Sequence, residues 1–117
     1  VDSVISETGE TVETFESEEY GQLFTTEDCK YLQEYMKYTV TDGTASAMDG
    51  KSYTAAGKTG SAEYSDDDDS THAWFLGYAS KDGYEDIAIA VVVEGAGSGG
   101  KYAVPVAEEV FDTYFGE

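Results

Sequence analysis

The sequence predicts an α+β fold: an antiparallel three-stranded meander packed by an internal and a C-terminal helix, with a small β-hairpin at the N-terminus. Three observations predict it. Strand-like runs at 53–63, 72–80 and 86–94 are joined by short polar connectors, which suits antiparallel neighbours. Cys29, Leu32, Met36 and Val40 step by three or four, the spacing of one helix face. Val106, Ala107, Val110, Phe111 and Tyr114 give a second apolar face near the end of the chain. No internal repeat and no linker divides the chain, so residues 1–117 read as a single unit.

Each element has its own local signal. Residues 1–6 and 11–16 are β-prone and flank Glu7-Thr8-Gly9-Glu10, where the glycine suits a tight turn. After a connector at 18–23, Thr25 or Thr26 can cap a helix, with Glu27 and Asp28 favourable at its positive end. That helix should fade near Thr41-Asp42-Gly43, leaving 44–52 as a loop of small residues. Cys29, on the apolar stripe, reads as a small buried hydrophobe, and as the only cysteine it excludes an intrachain disulfide. In the third strand Ile87, Ile89, Val91 and Val93 line one face, while Ala88, Ala90 and Val92 line the other. A strand apolar on both faces is usually covered on both. The sequence supplies few helices for a second layer, so one face or edge is expected to meet a part of the protein outside this chain. Residues 95–100 read as a flexible loop, and Pro105 as sitting near the start of the last helix, where a missing N–H costs little.

Composition narrows the function. Hydrophobic residues make up 40% of the chain, enough to bury a core. Net charge is -19, from 25 acidic groups against 6 Lys with no Arg. Phosphate recognition needs cations, so nucleic acid and anionic membrane surfaces are poor partners. No apolar run approaches the length of a bilayer span. An anchor, if the parent is exported, is expected elsewhere.

Several motifs imitate binding sites and fail on spacing. Gly57-Lys58-Thr59 resembles the end of a phosphate-binding loop, but position 52 is Ser where that loop needs Gly, and strand rather than helix follows. Gly95 to Gly100 formally contains G-x-G-x-x-G, yet the chain ends too soon for a second strand and its ribose-binding acid. The acidic run 66–69 fails the calcium-loop pattern at Thr71 and Gly77, and reads as a solvated loop tip. His72, the only histidine, reads as structural. Trp74 and Phe75 alternate faces and read as core or sheet cover.

Lys58-Thr59-Gly60 remains. Lys-Thr-Gly on a strand is one of three sequence elements of the penicillin-recognising serine acyltransferases, the others being Ser-x-x-Lys and Ser-x-Asn. The chain has no asparagine, and no serine upstream of Lys58 has a lysine three residues on. The order Gly43-Thr44-Ala45, Gly57-Lys58-Thr59-Gly60-Ser61-Ala62-Glu63, His72-Ala73-Trp74-Phe75-Leu76-Gly77-Tyr78, valine-rich strand, glycine-rich loop and terminal helix resembles the C-terminal part of the transpeptidase domain of a class B penicillin-binding protein. The resemblance spans nearly the whole chain, most specifically 53–95.

The resemblance implies a partial transpeptidase (serine β-lactamase-like) fold and a role for each matching residue. Lys58 would be catalytic, raising the local positive potential beside the nucleophile and assisting proton transfer. Thr59 would hydrogen-bond the carboxylate of a D-Ala-D-Ala stem peptide or of a β-lactam. Gly60 would let substrate approach the strand backbone, and the Ser61 N–H would be an oxyanion donor. No metal or organic cofactor is implied. The partners implied are the peptidoglycan stem peptide, β-lactams and the missing N-terminal part of the same domain. Self-association of the isolated chain is expected as well. The implied location is the extracytoplasmic face of a bacterial membrane, with the parent anchored there. Rival readings are a D,D-carboxypeptidase, serine β-lactamase or β-lactam sensor of the same superfamily, and an acidic extracellular interaction module with a chance Lys-Thr-Gly.

Overall fold

A computed structural model describes residues 2–64 and 71–117; the acidic run 66–69 lies outside them. In chain order the elements are β1 (Ser3–Ile5), β2 (Thr11–Thr14), α1 (Thr26–Thr41), a 3-10 turn (Ser46–Met48), β3 (Thr54–Glu63), β4 (Thr71–Ser80), β5 (Ile87–Val93) and α2 (Gly99–Phe115). The fold is α+β, with a two-stranded sheet and a three-stranded sheet of order β3-β4-β5, antiparallel throughout.

The hairpin closes where Ser6 N–H donates to Glu10 O at 2.8 Å and Gly9 takes φ 85°, a conformation that favours glycine. Its apolar side chains Ile5 and Val12 remain exposed. The start of α1 follows from a capping box. Thr25 Oγ1 accepts from Asp28 N–H at 3.1 Å, and Thr25 N–H donates to Asp28 Oδ2 at 3.2 Å.

The core lies between one face of the three-stranded sheet and α2. Register places Thr59, Phe75 and Val91 on one line across the sheet, and Phe75 is fully buried. Its ring covers the cross-strand pair Gly57 and Gly77. A Cβ on Gly77 would stand 2.6 Å from Phe75 Cε1, and one on Gly57 would run into Phe75 Cζ. Two adjacent glycines thus make the depression that seats the fully buried Phe75 ring.

On the opposite face Lys58, Leu76 and Ala90 form one line, and Gly60, Trp74 and Val92 the next. Leu76 is 52% exposed, Val92 45% and Trp74 36%, so around these residues the apolar face has no cover among the described residues, as the two-faced pattern of β5 predicts.

Four expectations are corrected. Cys29 is exposed, and Leu32 is 45% exposed; along α1 only Val40 is buried, because the helix touches the sheet near its C-terminal end alone. The buried face of α2 is Ala103, Val104, Ala107, Phe111 and Phe115, whereas Val106, Val110 and Tyr114 are exposed, so the helix is rotated from the predicted stripe. Pro105 lies inside α2 rather than near its start, since the helix already begins at Gly99. The stretch 44–52 is not plain loop: its 3-10 turn buries Ala45 and Met48.

Candidate active site

β3 is an edge strand of its sheet, and Lys58 is exposed on it. Edge strands leave alternate backbone N–H and C=O groups free to pair with an extended ligand. Lys58 Nζ donates to the Thr59 carbonyl oxygen, so the ammonium rests against its own strand. Thr59 is half-buried, and its Oγ1 lies 2.7 Å from Thr44 Oγ1, which belongs to the loop after α1. Lys58 and Thr59 share a cavity of about 330 Å³ with Tyr35, Tyr38, Thr39, Gly43 and Thr44. The end of α1 and the edge of β3 are therefore the two walls of one groove. A second cavity, lined by Val40, Met48, Lys51 and Tyr53, lies at the other end of β3, away from Lys58.

Helix α2 fixes β3 at both ends. Its first turn lies under Gly60, where a Cβ on Gly99 would stand 2.5 Å from Gly60 O. Its last turns hold the strand entry. Lys51 Nζ meets Asp112 Oδ2 at 2.8 Å and Glu108 Oε1 at 2.9 Å, and Tyr53 OH donates to Asp112 Oδ1 at 2.7 Å. The lengths match: thirteen residues of helix and seven of strand each span about 20 Å. The Asp112 hydrogen bond, then that of Glu108, raises the Lys51 ammonium above its ordinary range. Burial, reinforced by the Asp112 hydrogen bond, raises the Tyr53 phenol. Hydrogen bonds from Lys51 and then Tyr53 lower the Asp112 carboxyl. Nearby, Lys81 Nζ donates to Ser52 Oγ at 2.8 Å and to Phe115 O at 2.9 Å, and Ser52 pairs with Glu117.

The glycine-rich loop after β5 is fastened beside the far end of β3. Gly95 N–H donates to His72 Nδ1 at 3.1 Å, Gly97 N–H to Thr71 O at 3.0 Å, and the His72 ring stacks on Tyr64 at 4.2 Å.

The structure thus brings Lys58 and Thr59 to one groove. Gly60 and Ser61 continue the same edge, with Ser61 exposed. A Cβ on Gly60 would meet Trp74 Cβ at 3.4 Å, an ordinary contact, so packing on that face does not demand glycine. Sequence reasoning missed Tyr35, Tyr38 and the hydroxyl of Thr44, whose only local signal was Gly43-Thr44-Ala45. It also passed over Ser98 and Lys101, a serine and lysine three apart. They stand at the N-terminus of α2, where Ser98 makes no side-chain cap and Lys101 Nζ lies over the Tyr102 ring, 5.0 Å from its centroid. That arrangement does not pair the lysine with the serine as an activated nucleophile requires.

The family described as the penicillin binding protein transpeptidase domain matches residues 3–112. Among solved structures, the D,D-transpeptidase domain of a peptidoglycan glycosyltransferase from Eggerthella lenta is 26% identical, with a TM-score of 0.56. The match covers 96% of this chain and 27% of that one, so the chain spans about a quarter of that relative's length. No curated protein matches.

Proposed function

The chain belongs to the family of penicillin-binding-protein transpeptidase domains, and from that premise we propose that it is the Lys-Thr-Gly-bearing part of a D,D-transpeptidase that cross-links peptidoglycan. The observation that carries the reading is Lys58 exposed on an edge strand, in a groove shared with Thr59.

In the proposed reaction a serine from a segment outside this chain attacks the carbonyl between the two terminal D-Ala residues of a stem peptide. The C–N bond breaks, the terminal D-Ala leaves with the proton lost by serine, and an ester remains. An amine of a neighbouring stem peptide then attacks the ester, forming the new amide and returning the proton to serine. The chain's own residues bind and orient. The Lys58 ammonium favours the deprotonated nucleophile and attracts the terminal carboxylate. The Thr59 hydroxyl donates to that carboxylate. Gly60 admits the substrate close to the strand, and the Ser61 N–H stabilises the oxyanion while its carbonyl pairs with the substrate amide. A β-lactam with its carboxylate would occupy the same positions. The uncovered face bearing Leu76, Trp74 and Val92 is assigned to the remainder of the domain, and the parent to the outer face of a bacterial membrane.

Labelling by a fluorescent penicillin tests the reading. The full-length protein should be labelled, and Lys58→Ala should slow labelling by about 100-fold or more, the scale of a lost acid–base group. The isolated 117-residue chain should not be labelled. Label on the isolated chain would overturn its assignment as a piece without a nucleophile, and Ser98→Ala would show whether Ser98 had accepted the acyl group.

A further inference from the structure

We propose that Thr44 is a positioning residue whose hydroxyl holds the Thr59 hydroxyl as a hydrogen-bond donor toward a substrate carboxylate. The inference rests on the transpeptidase reading above and adds a residue to it.

A threonine hydroxyl has one proton and two acceptor lone pairs. Thr44 Oγ1 and Thr59 Oγ1 are 2.7 Å apart, so one of them donates to the other. If Thr59 donates, its proton is spent on Thr44, and only lone pairs face the groove, where they repel an anion. If Thr44 donates, the Thr59 proton is free for the carboxylate, and the bond received from Thr44 polarises it further. A carboxylate beside Lys58 selects the second arrangement. Thr44 then acts through Thr59 without touching the substrate.

Thr44 is held for this task from two sides. The next residue, Ala45, is fully buried, and its N–H donates to Thr39 O at 2.9 Å. On the other side the start of α2 fits under the loop only because residue 100 is glycine: a Cβ there would stand 2.9 Å from Thr44 O. Both hydroxyls sit on β-branched side chains with few rotamers, so fixing the backbone largely fixes the pair. Thr44 itself is exposed, which separates its hydroxyl from any duty in the core.

The test uses the full-length protein and two forms of one penicillin, the free acid and its methyl ester, with the acylation rate constant as readout. Thr44→Val should slow acylation by the acid about three- to tenfold, the scale of one hydrogen bond between neutral groups, and acylation by the ester less than about twofold. Thr44→Ser should restore the acid rate. Thr44→Val combined with Thr59→Val should be no slower than Thr59→Val alone, since the two act as one unit. Equal losses on acid and ester, or no loss on the acid, overturn the proposal. If Thr44→Val does not fold, Thr44→Ala deletes the hydroxyl without new bulk and carries the same comparison. Wild-type protein that neither form acylates overturns the transpeptidase reading itself, a result distinct from an unselective Thr44 effect.

Discussion

Gly99 lies against Gly60 so closely that a Cβ on Gly99 would stand 2.5 Å from the Gly60 carbonyl oxygen and 2.9 Å from its nitrogen, and would also run into Trp74 O. The start of α2 and the backbone of the Lys-Thr-Gly strand are therefore in direct contact, with no side chain between them. Gly99→Ala must push helix and strand apart. Overpacking of this kind costs about 1–3 kcal/mol. The expected outcome in the full-length protein is a lowered urea midpoint together with slowed penicillin acylation, because the displaced strand carries Lys58 to Ser61. An unchanged midpoint would show that the contact relaxes freely.

Asp112 is the shared acceptor for Lys51 and Tyr53. Asp112→Ala leaves the nearly buried Tyr53 hydroxyl without its partner and removes one of two anions from Lys51. A hydrogen bond to a charged group is worth about 1.5–3 kcal/mol, and partial exposure of Asp112 moves the expected loss toward the lower end. Denaturant titration of the full-length variant reads it. Acylation should fall less than for Gly99→Ala, because Asp112 holds the entry of β3 and Gly99 the end that bears the motif.

The same cluster sets a pH dependence. Lys51 and Tyr53 lower the Asp112 carboxyl, and the Ser52 hydroxyl followed by its backbone N–H lowers that of Glu117. A carboxyl lowered in the folded state contributes stability that is complete above its ordinary value and is lost as pH falls through the folded one. For Asp112 that loss begins near the ordinary 3.8. Lys51 and Tyr53 are raised, so their contributions are complete below the ordinary 10.5 and 10.0 and fade only at higher pH. The expected result is a difference between wild type and Asp112→Asn that is constant near neutrality and shrinks in acid. Taking the difference cancels most of the global charge repulsion, which acid also relieves. A difference that grows in acid would contradict the assignment.

The uncovered sheet face predicts the behaviour of the isolated chain. Leu76, Trp74 and Val92 form a contiguous apolar surface, and such surfaces drive association. A net charge of -19 opposes it over a screening length of about 8–10 Å at moderate salt. Sedimentation should therefore show self-association that strengthens as salt is added, and Leu76→Lys with Val92→Glu should abolish it. A wild-type chain that stays monomeric at high salt would count against the face being an interface.

Local chemistry was well written in the sequence. The capping box at Thr25 and Asp28, the glycine turn of the hairpin and the three strands depend on residues close together in the chain. Their periods and turn residues are visible without tertiary information. The two-faced apolar pattern of Ile87 to Val93 announced a sheet face needing outside cover. Lys58-Thr59-Gly60 together with its flanks pointed to the family.

What failed in the sequence reading was orientation. Periodicity shows that a helix has an apolar stripe but does not show what covers it. Cys29 and Leu32 lie on such a stripe and stay exposed, since α1 reaches the sheet only near its C-terminal end. In α2, both Val106 and Val104 are apolar, and only docking on Phe75 and Ala73 decides that Val104 is the buried one. The pairing of Thr44 with Thr59 and the seat of Gly99 under Gly60 join residues 15 and 39 positions apart. By itself the sequence determined the two helices, the strands and the presence of the motif, because these follow from local propensity and hydrophobic period. The tertiary structure decided which helix supports the motif strand, which hydroxyl faces its threonine and which apolar face is left open, because these depend on packing between distant segments that no local pattern encodes.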